Sequence, residues 1–448
     1  MDAGVVVTDL DTVLAAALAS QPATRILIAY SGGMDSHVLL HLLWRRRGPE
    51  PLRAVHVNHG LSPQANHWET HCRRVCDTLG IACHTERVTV APGPQGLEAS
   101  ARDARYAVFK SQLEHGDLLV FGHHADDQAE TLLYRLLRTG VPAGMPVTRP
   151  LGRGWLLRPL LGVPRTALRD YAERHRLDWI EDESNAHCDF DRNYLRHRVL
   201  PVLTARWPDA VARLQRVADQ SQAAAELGQD LAAIDLASLD ERPERVGRSL
   251  SLAGLAALAT HRQRNLLRHW QLPEATGREP GAGVLDALFR DLIGAAPDAA
   301  PLVEWPGGQW RRFRNRLYLL PPHWGAAPSC DRGPWTWSPE MPLELPDGAH
   351  LSAQPALGHG LRVTLPGVRL SVRYRRGGER VHPQGRGASN TLKRVLQEQA
   401  LEPWLRDRVP LIERDGELVA VGDLFVCRPV AAGVGEPGWL PEWRCPVL

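Results

Sequence analysis

A short stretch near the N-terminus combines the residue types that hold phosphate. The apolar run RILIAY at 25–30 is followed at once by six residues: Ser31, Gly32, Gly33, Met34, Asp35 and Ser36. Glycines let the backbone approach a ligand closely, and the start of a helix presents unpaired N–H groups to an anion. The serine hydroxyls add donors for phosphate oxygens, and Asp35 is the kind of oxygen ligand that magnesium prefers. We therefore predict a pyrophosphate cradle here, with magnesium on Asp35.

The motif also limits the class of nucleotide-binding protein. It lacks the lysine of the Walker loop GxxxxGK[ST], which disfavours an NTPase of that type. A tight strand-to-helix turn with a capping serine is the alternative explanation of the glycine pair. The carboxylate and both hydroxyls in one strand–helix context favour the phosphate site.

A second stretch, GHHADDQAETLLYRLLR at 122–138, places two carboxylates on one helical face. Asp127 and Glu130 lie one turn apart, and such a pair can bind an ammonium group or deprotonate an amine. The helix dipole alone also favours carboxylates in a first turn. His123 and His124 fit a polar helix start better than a metal site. The other face carries leucines expected to pack inward: Leu132, Leu133, Leu136 and Leu137.

The elements around these residues alternate between strand and helix over residues 25–200. This pattern predicts an α/β fold with a parallel sheet and helices on both faces, which binds ligands beyond the carboxyl ends of its strands. We predict a catalytic domain at 1–207 and a helical middle domain at 208–320. The Pro-, Gly- and Trp-rich stretch 321–359 is predicted to be a linker, followed by a small α+β domain at 360–448.

Composition narrows the class of protein and its compartment. The chain has 448 residues, of which 44% are hydrophobic, and no apolar run approaches the ~20 residues of a membrane span. The N-terminus lacks the basic start of a secretory signal, so a cytoplasmic protein is expected. Seven cysteines without a CxxC pair indicate free thiols. Nearly all the basic residues are arginine, which suits RNA, although biased base composition explains this equally well.

The motif SGGMDS after a strand resembles that of the PP-loop ATP pyrophosphatases, which cleave ATP to AMP and pyrophosphate. Within that class, four stretches resemble the tRNA(Ile)-lysidine synthetase family in order and spacing: LRAVHVNHGLSPQANHWETHC, LEASARDARYAVF, GHHADDQAETLLYRLLR and WIEDESNAHCDFDRNYLRHRVLP. The C-terminal run beginning LSVRYRRGGER is also similar to that family. We call residues 31–36 the PP-loop from here on.

The resemblance implies a reaction and a role for each candidate residue. Enzymes of that family adenylate the wobble cytidine of a CAU-anticodon tRNA(Ile), and free L-lysine then displaces AMP at carbon 2. ATP and magnesium would be the cofactors, with the PP-loop binding ATP and Asp35 also acting in catalysis. Arg102 and Asp127 would be catalytic, and Asp127 with Glu130 would bind lysine. We call Asp127 and Glu130 the acid pair.

A basic segment near the C-terminus predicts contact with tRNA. Residues 361–396 carry nine basic side chains against Glu379 alone, a net charge of +8. Such a segment attracts a phosphate backbone, and a solvated basic face is the alternative explanation. Our candidate tRNA-binding residues are Arg196, Arg373, Arg375, Arg376, Arg380, Lys393 and Arg394. The sequence leaves both a monomer and a homodimer open, and it predicts no membrane partner.

One segment departs from the family pattern, and two other functions stay open. After the acid pair the family has a glycine-rich RGxG turn, whereas Thr139, Gly140 and Val141 stand here, so the path of the turn at 138–145 is uncertain. A PP-loop tRNA 2-thiolase would need sulfur-handling cysteines, and Cys72, Cys76, Cys83 and Cys188 lack paired spacing. A nucleotide-regulated RNA-binding protein would tolerate a degenerate site, but Asp35 and the acid pair are intact.

Overall fold

A computed structural model of the chain describes residues 9–91, 93, 96–181, 183, 190–273, 279–294, 301–325, 333–362, 370–385 and 389–446, the side chains of Glu98 and Pro429 excepted. The chain divides into unit 1, Met1–Glu226, and unit 2, Leu227–Leu448. Among the described helices, none has both the length and the apolar character needed to cross a membrane.

Unit 1 contains the alternating elements that the sequence predicts. Its helices are α1 (Leu10–Ala19), α2 (Met34–Arg46), α3 (Ala65–Leu79), α4 (Leu97–Gln112), α5 (Ala125–Thr139), α6 (Arg165–Arg174), α7 (Asp191–Tyr194) and α8 (Leu200–Arg206), with a π-helical turn at Leu195–Val199. Its strands are β1 (Arg25–Ala29), β2 (Leu52–Asn58), β3 (Ala82–Arg87), β4 (Asp117–Val120), β5 (Thr148–Leu151) and β6 (Gly154–Leu157). Helix α9 (Ala210–Ala237) contains the boundary between the units.

The sheet of unit 1 has the strand order β3-β2-β1-β4-β6-β5. Strands β3, β2, β1, β4 and β6 are parallel, which confirms the predicted α/β fold. Strand β5 pairs antiparallel to β6 at the edge, a feature that the sequence pattern did not predict. The β5–β6 connection is only two residues long, and a parallel crossover needs about a dozen.

Both faces of this sheet are covered, as the apolar run of β1 requires. Ile26 and Ile28 pack into the core beneath α2, whereas Leu27 joins Phe109 of α4 on the other face. This alternation places successive side chains of a strand on opposite faces of the sheet. The carboxyl ends of β1 and β4 are neighbours, so the segments that follow them meet at one edge.

Unit 2 is built from antiparallel sheets and short helices. Its helices are α10 (Leu252–Ala257), α11 (Thr260–His269), α12 (Ala282–Ala287) and α13 (Leu392–Glu398), with a π-helical turn at Leu288–Ile293 and 3-10 turns at Pro403–Leu405 and Arg428–Val430. Its strands are β7 (Arg242–Pro243), β8 (Arg248–Ser251), β9 (Leu302–Trp305), β10 (Gly308–Phe313), β11 (Arg316–Leu320), β12 (Trp335–Trp337), β13 (Leu343–Glu344), β14 (His350–Leu357), β15 (Leu370–Arg373), β16 (Arg380–Val381), β17 (Asn390–Thr391), β18 (Leu411–Arg414), β19 (Glu417–Val421), β20 (Phe425–Val426) and β21 (Pro437–Arg444).

Two predictions for the middle of the chain need correction. The region 208–320, predicted as helical with a strand-like end at QWRRFRNRLYLLP, contains a five-stranded sheet in the order β7-β8-β11-β10-β9, in which β10 and β11 lie at that predicted end. The stretch 321–359, predicted as a linker, contributes β12, β13 and β14 to the sheets of unit 2. Strands of two to four residues are too short to show a periodic pattern. Strand β14 contains a proline, which in a sequence predicts the end of a strand. The domain boundaries themselves stay predictions.

The inward packing of the α5 leucines was only partly right. Leu132 is buried, but Leu136 and Leu137 are 40% and 75% exposed. Leu133 is half-buried, so exposure of the leucines increases toward the C-terminal end of α5.

Candidate active site

The PP-loop forms a tight cradle between β1 and α2. Gly32 has a φ of +86°, and a Cβ atom there would lie 2.7 Å from Ile180 Cδ1 and 2.9 Å from Cys72 Sγ. Both the conformation and the space therefore require glycine. The Ile180 N–H donates to the Gly32 carbonyl at 3.0 Å and holds the loop from the outside. The N–H groups of the first turn of α2 have no partner within the helix and remain for an anion.

The two serines of the PP-loop stabilise the loop itself. Ser36 Oγ accepts from the Ser31 N–H at 3.2 Å and donates to the Gly33 carbonyl at 2.9 Å. The two hydroxyls lie 3.1 Å apart, and Ser36 is buried while Ser31 is exposed. Met34 is buried beneath the loop. Contact of the hydroxyls with phosphate stays a prediction.

Asp35 lies in the first turn of α2 and faces the end of β4. Its Oδ1 atom is buried and has no hydrogen-bond partner among the described residues. Gly122 follows β4, and a Cβ atom there would lie 2.6 Å from the Asp35 carbonyl oxygen. The missing side chain thus lets the segment after β4 approach the PP-loop closely.

His124 connects the PP-loop to the acid pair. Its N–H donates to Asp127 Oδ2 at 3.1 Å, and its Nδ1 accepts from the Asp127 N–H at 3.4 Å, so it caps α5. Its Nε2 lies 3.5 Å from Asp35 Oδ2 and 3.4 Å from Asp127 Oδ2. Burial opposes a charge on this ring, but the nearby Asp35 and Asp127 carboxylates still raise the pKa of His124. One imidazole therefore lies between the two predicted sites.

Arg196 bridges the acid pair, which is buried. Its Nε donates to Glu130 Oε1 at 2.6 Å, and its Nη2 donates to Glu130 Oε2 at 3.0 Å and Asp127 Oδ1 at 2.9 Å. Burial raises the pKa of Glu130 despite Arg196. Burial also acts on Asp127, but His124, His123 and Arg196 lower the pKa of Asp127. Two neighbouring carboxyls with pKa values shifted in opposite directions are suited to different roles.

Arg102 lies on the exposed face of α4. Its guanidinium carbon is 5.5 Å from the centre of the Tyr106 ring. Within the described part of the chain it forms no ion pair, so its charge is available to a ligand. Its catalytic role stays a prediction.

The candidate tRNA-binding residues fall into different environments. Arg196 bridges the two carboxylates of the acid pair, and its contact with tRNA stays a prediction. Arg373 donates to Glu413 Oε1 at 2.8 Å and Glu379 Oε1 at 3.1 Å, and its side chain is only 11% exposed. Arg375 also lies within 3.4–3.6 Å of acidic side chains. The exposed candidates are Arg376, Arg380, Lys393 and Arg394. Two further members of the basic segment, Arg369 and Arg386, lie outside the described residues.

Several residues near the site did not stand out as functional in the sequence. Gln128 accepts from the Met145 N–H at 2.6 Å and donates to the Met145 carbonyl at 2.9 Å, which fixes the segment after the turn at 138–145. In that turn, Gly140 ends α5 with a φ of +72°. Arg192 donates to Thr131 Oγ1 at 3.3 Å. The one available signal was the position of His124, directly after a buried strand and at a helix start.

Comparisons with known proteins agree with this arrangement. Residues 7–203 match the model of the PP-loop domain, 250–318 that of the TilS substrate binding domain, and 370–443 that of the TilS substrate C-terminal domain. The tRNA(Ile)-lysidine synthase of Alkalilimnicola ehrlichii is 44% identical over 91% of this chain and 92% of its own length. That of Coxiella burnetii is 41% identical over 94% of this chain and 93% of its own length. A solved U34-tRNA thiolase from Methanococcus maripaludis is 16% identical, with a TM-score of 0.39 over 47% of this chain and 78% of its own, which is too distant to indicate a reaction.

Proposed function

Because this chain belongs to the tRNA(Ile)-lysidine synthase family, we propose that it joins free L-lysine to carbon 2 of the wobble cytidine in a tRNA(Ile) with a CAU anticodon. ATP first adenylates the 2-oxo oxygen of the cytidine and releases pyrophosphate. The ε-amine of lysine then attacks carbon 2, the carbon–oxygen bond breaks, and AMP leaves. Such an enzyme works in the cytoplasm, where tRNA is processed.

The observation that carries this proposal is the position of His124 between the two predicted sites. Its Nε2 lies within 3.5 Å of both the PP-loop carboxylate Asp35 and the acid-pair member Asp127. The oxygen that is adenylated is bonded to the carbon that the amine attacks, so both steps must happen at one place. A nucleotide on the PP-loop and an amine at the acid pair would meet in the space beside this imidazole.

The PP-loop would hold the triphosphate, and the residues present fit a magnesium ion. Asp35 offers a buried carboxylate oxygen without a hydrogen-bond partner among the described residues. Magnesium is commonly bound by one or two carboxylates together with phosphate oxygens and water. When bound, it would neutralise charge on the leaving pyrophosphate. The N–H groups at the start of α2 would orient the phosphates.

The acid pair would bind lysine and take a proton from it. A lysine ε-amine is protonated near neutral pH and attacks only after losing that proton. Asp127, whose pKa is lowered, stays ionised and suits an ammonium group. Glu130, whose pKa is raised, is the better proton acceptor. Arg196 would keep both carboxylates in position until lysine binds.

Arg102 and unit 2 complete the proposal. Arg102 would stabilise negative charge on the adenylated intermediate, since a guanidinium pairs well with phosphate. The regions 208–320 and 360–448 would hold the body of the tRNA through exposed side chains such as Lys393. Contacts with phosphates position an RNA without reading its sequence.

The thiolase alternative has less support. Cys72 and Cys76 are completely buried, and burial raises the pKa of the Cys72 thiol. A cysteine that handles sulfur needs an accessible thiolate. Cys72 instead packs beneath Gly32 as part of the core.

Incorporation of labelled lysine tests the proposed reaction. The purified protein is incubated with ATP, magnesium, radiolabelled lysine and a transcript of tRNA(Ile) with a CAU anticodon. We expect label in the tRNA, and none when the wobble cytidine is replaced by uridine. Release of AMP and pyrophosphate without incorporation of lysine would contradict the proposed nucleophile.

A further inference from the structure

Four arginines of unit 1 lie together without acidic partners. We call Arg102 of α4, Arg135 of α5, Arg149 of β5 and Arg158, which follows β6, the arginine cluster. Within the described part of the chain, none of them forms an ion pair. Their hydrogen bonds go to neutral groups: Arg135 donates to the Ala143 carbonyl at 3.2 Å. The cluster therefore carries a positive charge that the folded chain does not neutralise.

Arg158 is the most unusual member because it is buried. It is 3% exposed, donates to the Pro146 carbonyl at 2.6 Å, and donates to His123 Nδ1 at 3.2 Å. Burial lowers the pKa of Arg158 to about 10, so the group stays charged near neutral pH. Burying a charge without a counter-charge is costly, which indicates a ligand that supplies one.

The cluster surrounds one aromatic ring. The guanidinium carbons of Arg102 and Arg149 lie 5.5 Å and 5.3 Å from the centre of the Tyr106 ring. Burial opposes ionisation of this phenol, but the charges of Arg158, Arg102 and Arg149 lower the pKa of Tyr106. The arginine charges that stabilise the phenolate form of Tyr106 would also stabilise any other anion bound beside it. The local electrostatic potential therefore favours anions.

The same ring connects the cluster to the active site. Tyr106 stacks on Phe121 with ring centres 5.9 Å apart, and Phe121 stacks on His123 at 5.2 Å. His123 directly precedes His124. The cluster therefore lies beside the acid pair, on the side of β6 and β5.

We propose that Arg135 and Arg149 of the arginine cluster bind a backbone phosphodiester of the tRNA next to the nucleotide that is modified. The buried Arg158 adds positive potential to this site, and Arg102 keeps the role that the proposed function gives it toward the adenylated intermediate. Arginine pairs with phosphate in a bidentate geometry, and several guanidinium groups around one site suit a group with a full negative charge. The phosphates of ATP already have the PP-loop, which follows β1. Arg158 and Arg149 lie beyond β4, at β6 and β5, which are two and three strand spacings from β1, or about 10 and 14 Å. The identity of the RNA rests on the proposed function, whereas the phosphate site rests on the cluster.

Removal of single charges tests the site. The variants Arg149→Gln and Arg135→Gln each remove one cluster charge, and Arg169→Gln removes an exposed charge of α6 as the matched control. Binding of full-length tRNA is titrated by filter retention at several salt concentrations, without ATP or lysine. We expect each cluster variant to bind tRNA ~10-fold more weakly. The slope of log affinity against log salt concentration should fall by about one, because one fewer phosphate is neutralised. The control should match the wild type.

A backbone substitution in the RNA makes the test specific. A tRNA is ligated from synthetic pieces that carry one neutral methylphosphonate linkage at successive positions of the anticodon loop. The wild type should bind the tRNA more weakly when the neutral linkage is at one or two particular positions. The affinity of Arg149→Gln for tRNA should not change when the linkage is at those same positions. A merely structural role of Arg149 would weaken binding of every RNA alike. Circular dichroism and thermal unfolding check that the variants are folded.

The possible outcomes separate this site from the proposed reaction. Equal tRNA affinity of Arg149→Gln and Arg169→Gln would overturn the site. A raised KM for ATP or for lysine, with unchanged tRNA affinity, would assign the cluster to that ligand and would also overturn it. If the wild type binds tRNA with the linkage effect but incorporates no lysine, the proposed reaction fails while the phosphate site stands.

Discussion

Each unit of the molecule contains a network in which an arginine bridges two largely buried carboxylates. Arg196 bridges the acid pair in unit 1, and Arg373 bridges Glu379 and Glu413 in unit 2. The chemical groups and the distances are nearly the same. What surrounds the two networks differs, and this difference separates a candidate site from a structural contact.

In the network of unit 2, backbone N–H groups also donate hydrogen bonds to one of the two carboxylates. Glu379 also accepts from the N–H groups of Arg376 and Gly377, at 2.6 Å and 3.0 Å. Burial opposes ionisation, but these bonds and Arg373 lower the pKa of Glu379. The acid pair has a carboxyl with a raised pKa and lies beside the PP-loop carboxylate. An ion pair thus indicates function only when its members keep capacity for a ligand.

The largest expected effect comes from Asp35, which has a buried oxygen without a partner. Asp35→Asn should lower the rate of pyrophosphate release by ~1,000-fold, because the carboxylate that supports the leaving group is lost. Affinity for tRNA should stay within about twofold, since phosphate contacts supply that affinity. Asp170→Asn, an exposed change on α6, is the control. Parallel loss of tRNA binding would contradict the assigned role.

The next effect concerns the acid pair and depends on pH. Glu130→Gln should lower kcat/KM for lysine by ~100-fold, because the proposed proton acceptor and a buried charged contact to lysine are both lost. Proton transfer from lysine needs ionised Glu130, whose pKa is raised, so the wild type should lose activity on acidification above the usual glutamate range. When kcat/KM for lysine is measured against pH, the Glu130→Gln variant should not show this decrease on the acidic side.

The matching change in unit 2 serves as the control for the acid pair. Glu379→Gln should leave kcat/KM for lysine at the wild-type value. An equal fall of kcat/KM in both variants would erase the distinction between the two networks.

Glu379→Gln should instead affect folding. We expect the free energy of unfolding of unit 2 to fall by ~2 kcal/mol near neutral pH, because Arg373 and two backbone N–H groups lose a charged partner. The folded pKa of Glu379 is lowered, so its stabilisation is present above the ordinary glutamate pKa and lost as pH falls through the folded value. The difference from wild type should therefore shrink in acid. Urea unfolding followed by tryptophan fluorescence measures it, and a constant difference would argue against this linkage.

The smallest expected effect concerns the exposed cations of unit 2. Lys393→Gln should weaken tRNA binding by ~3-fold and reduce the salt slope by about one ion. Arg375→Gln should change tRNA binding less, because acidic side chains already surround Arg375. Filter binding across a salt series distinguishes the two. A larger effect of Arg375→Gln would mean that RNA displaces its acidic partners.

Much of the fold of unit 1 follows from local pattern, and much of unit 2 does not. Helices of ten or more residues and buried strands such as β1 show their periodicity directly. Strands of two to four residues, such as β12 and β13, show none. The second half of α5 keeps an apolar pattern although Leu136 and Leu137 are exposed, because a periodic pattern does not show which part of a helix is covered by the rest of the fold.

The sequence by itself determined the PP-loop and the spacing of the acid pair. Both depend on short-range geometry: a positive φ at Gly32, a helix start at Asp35, and one helical turn between Asp127 and Glu130. Tertiary structure alone decided which charges are neutralised. Arg196 reaches Glu130 across 66 positions of sequence, whereas Arg158 is buried with no acid beside it among the described residues. Residue types state how much charge a chain carries, but packing decides which charges meet and which remain for a ligand.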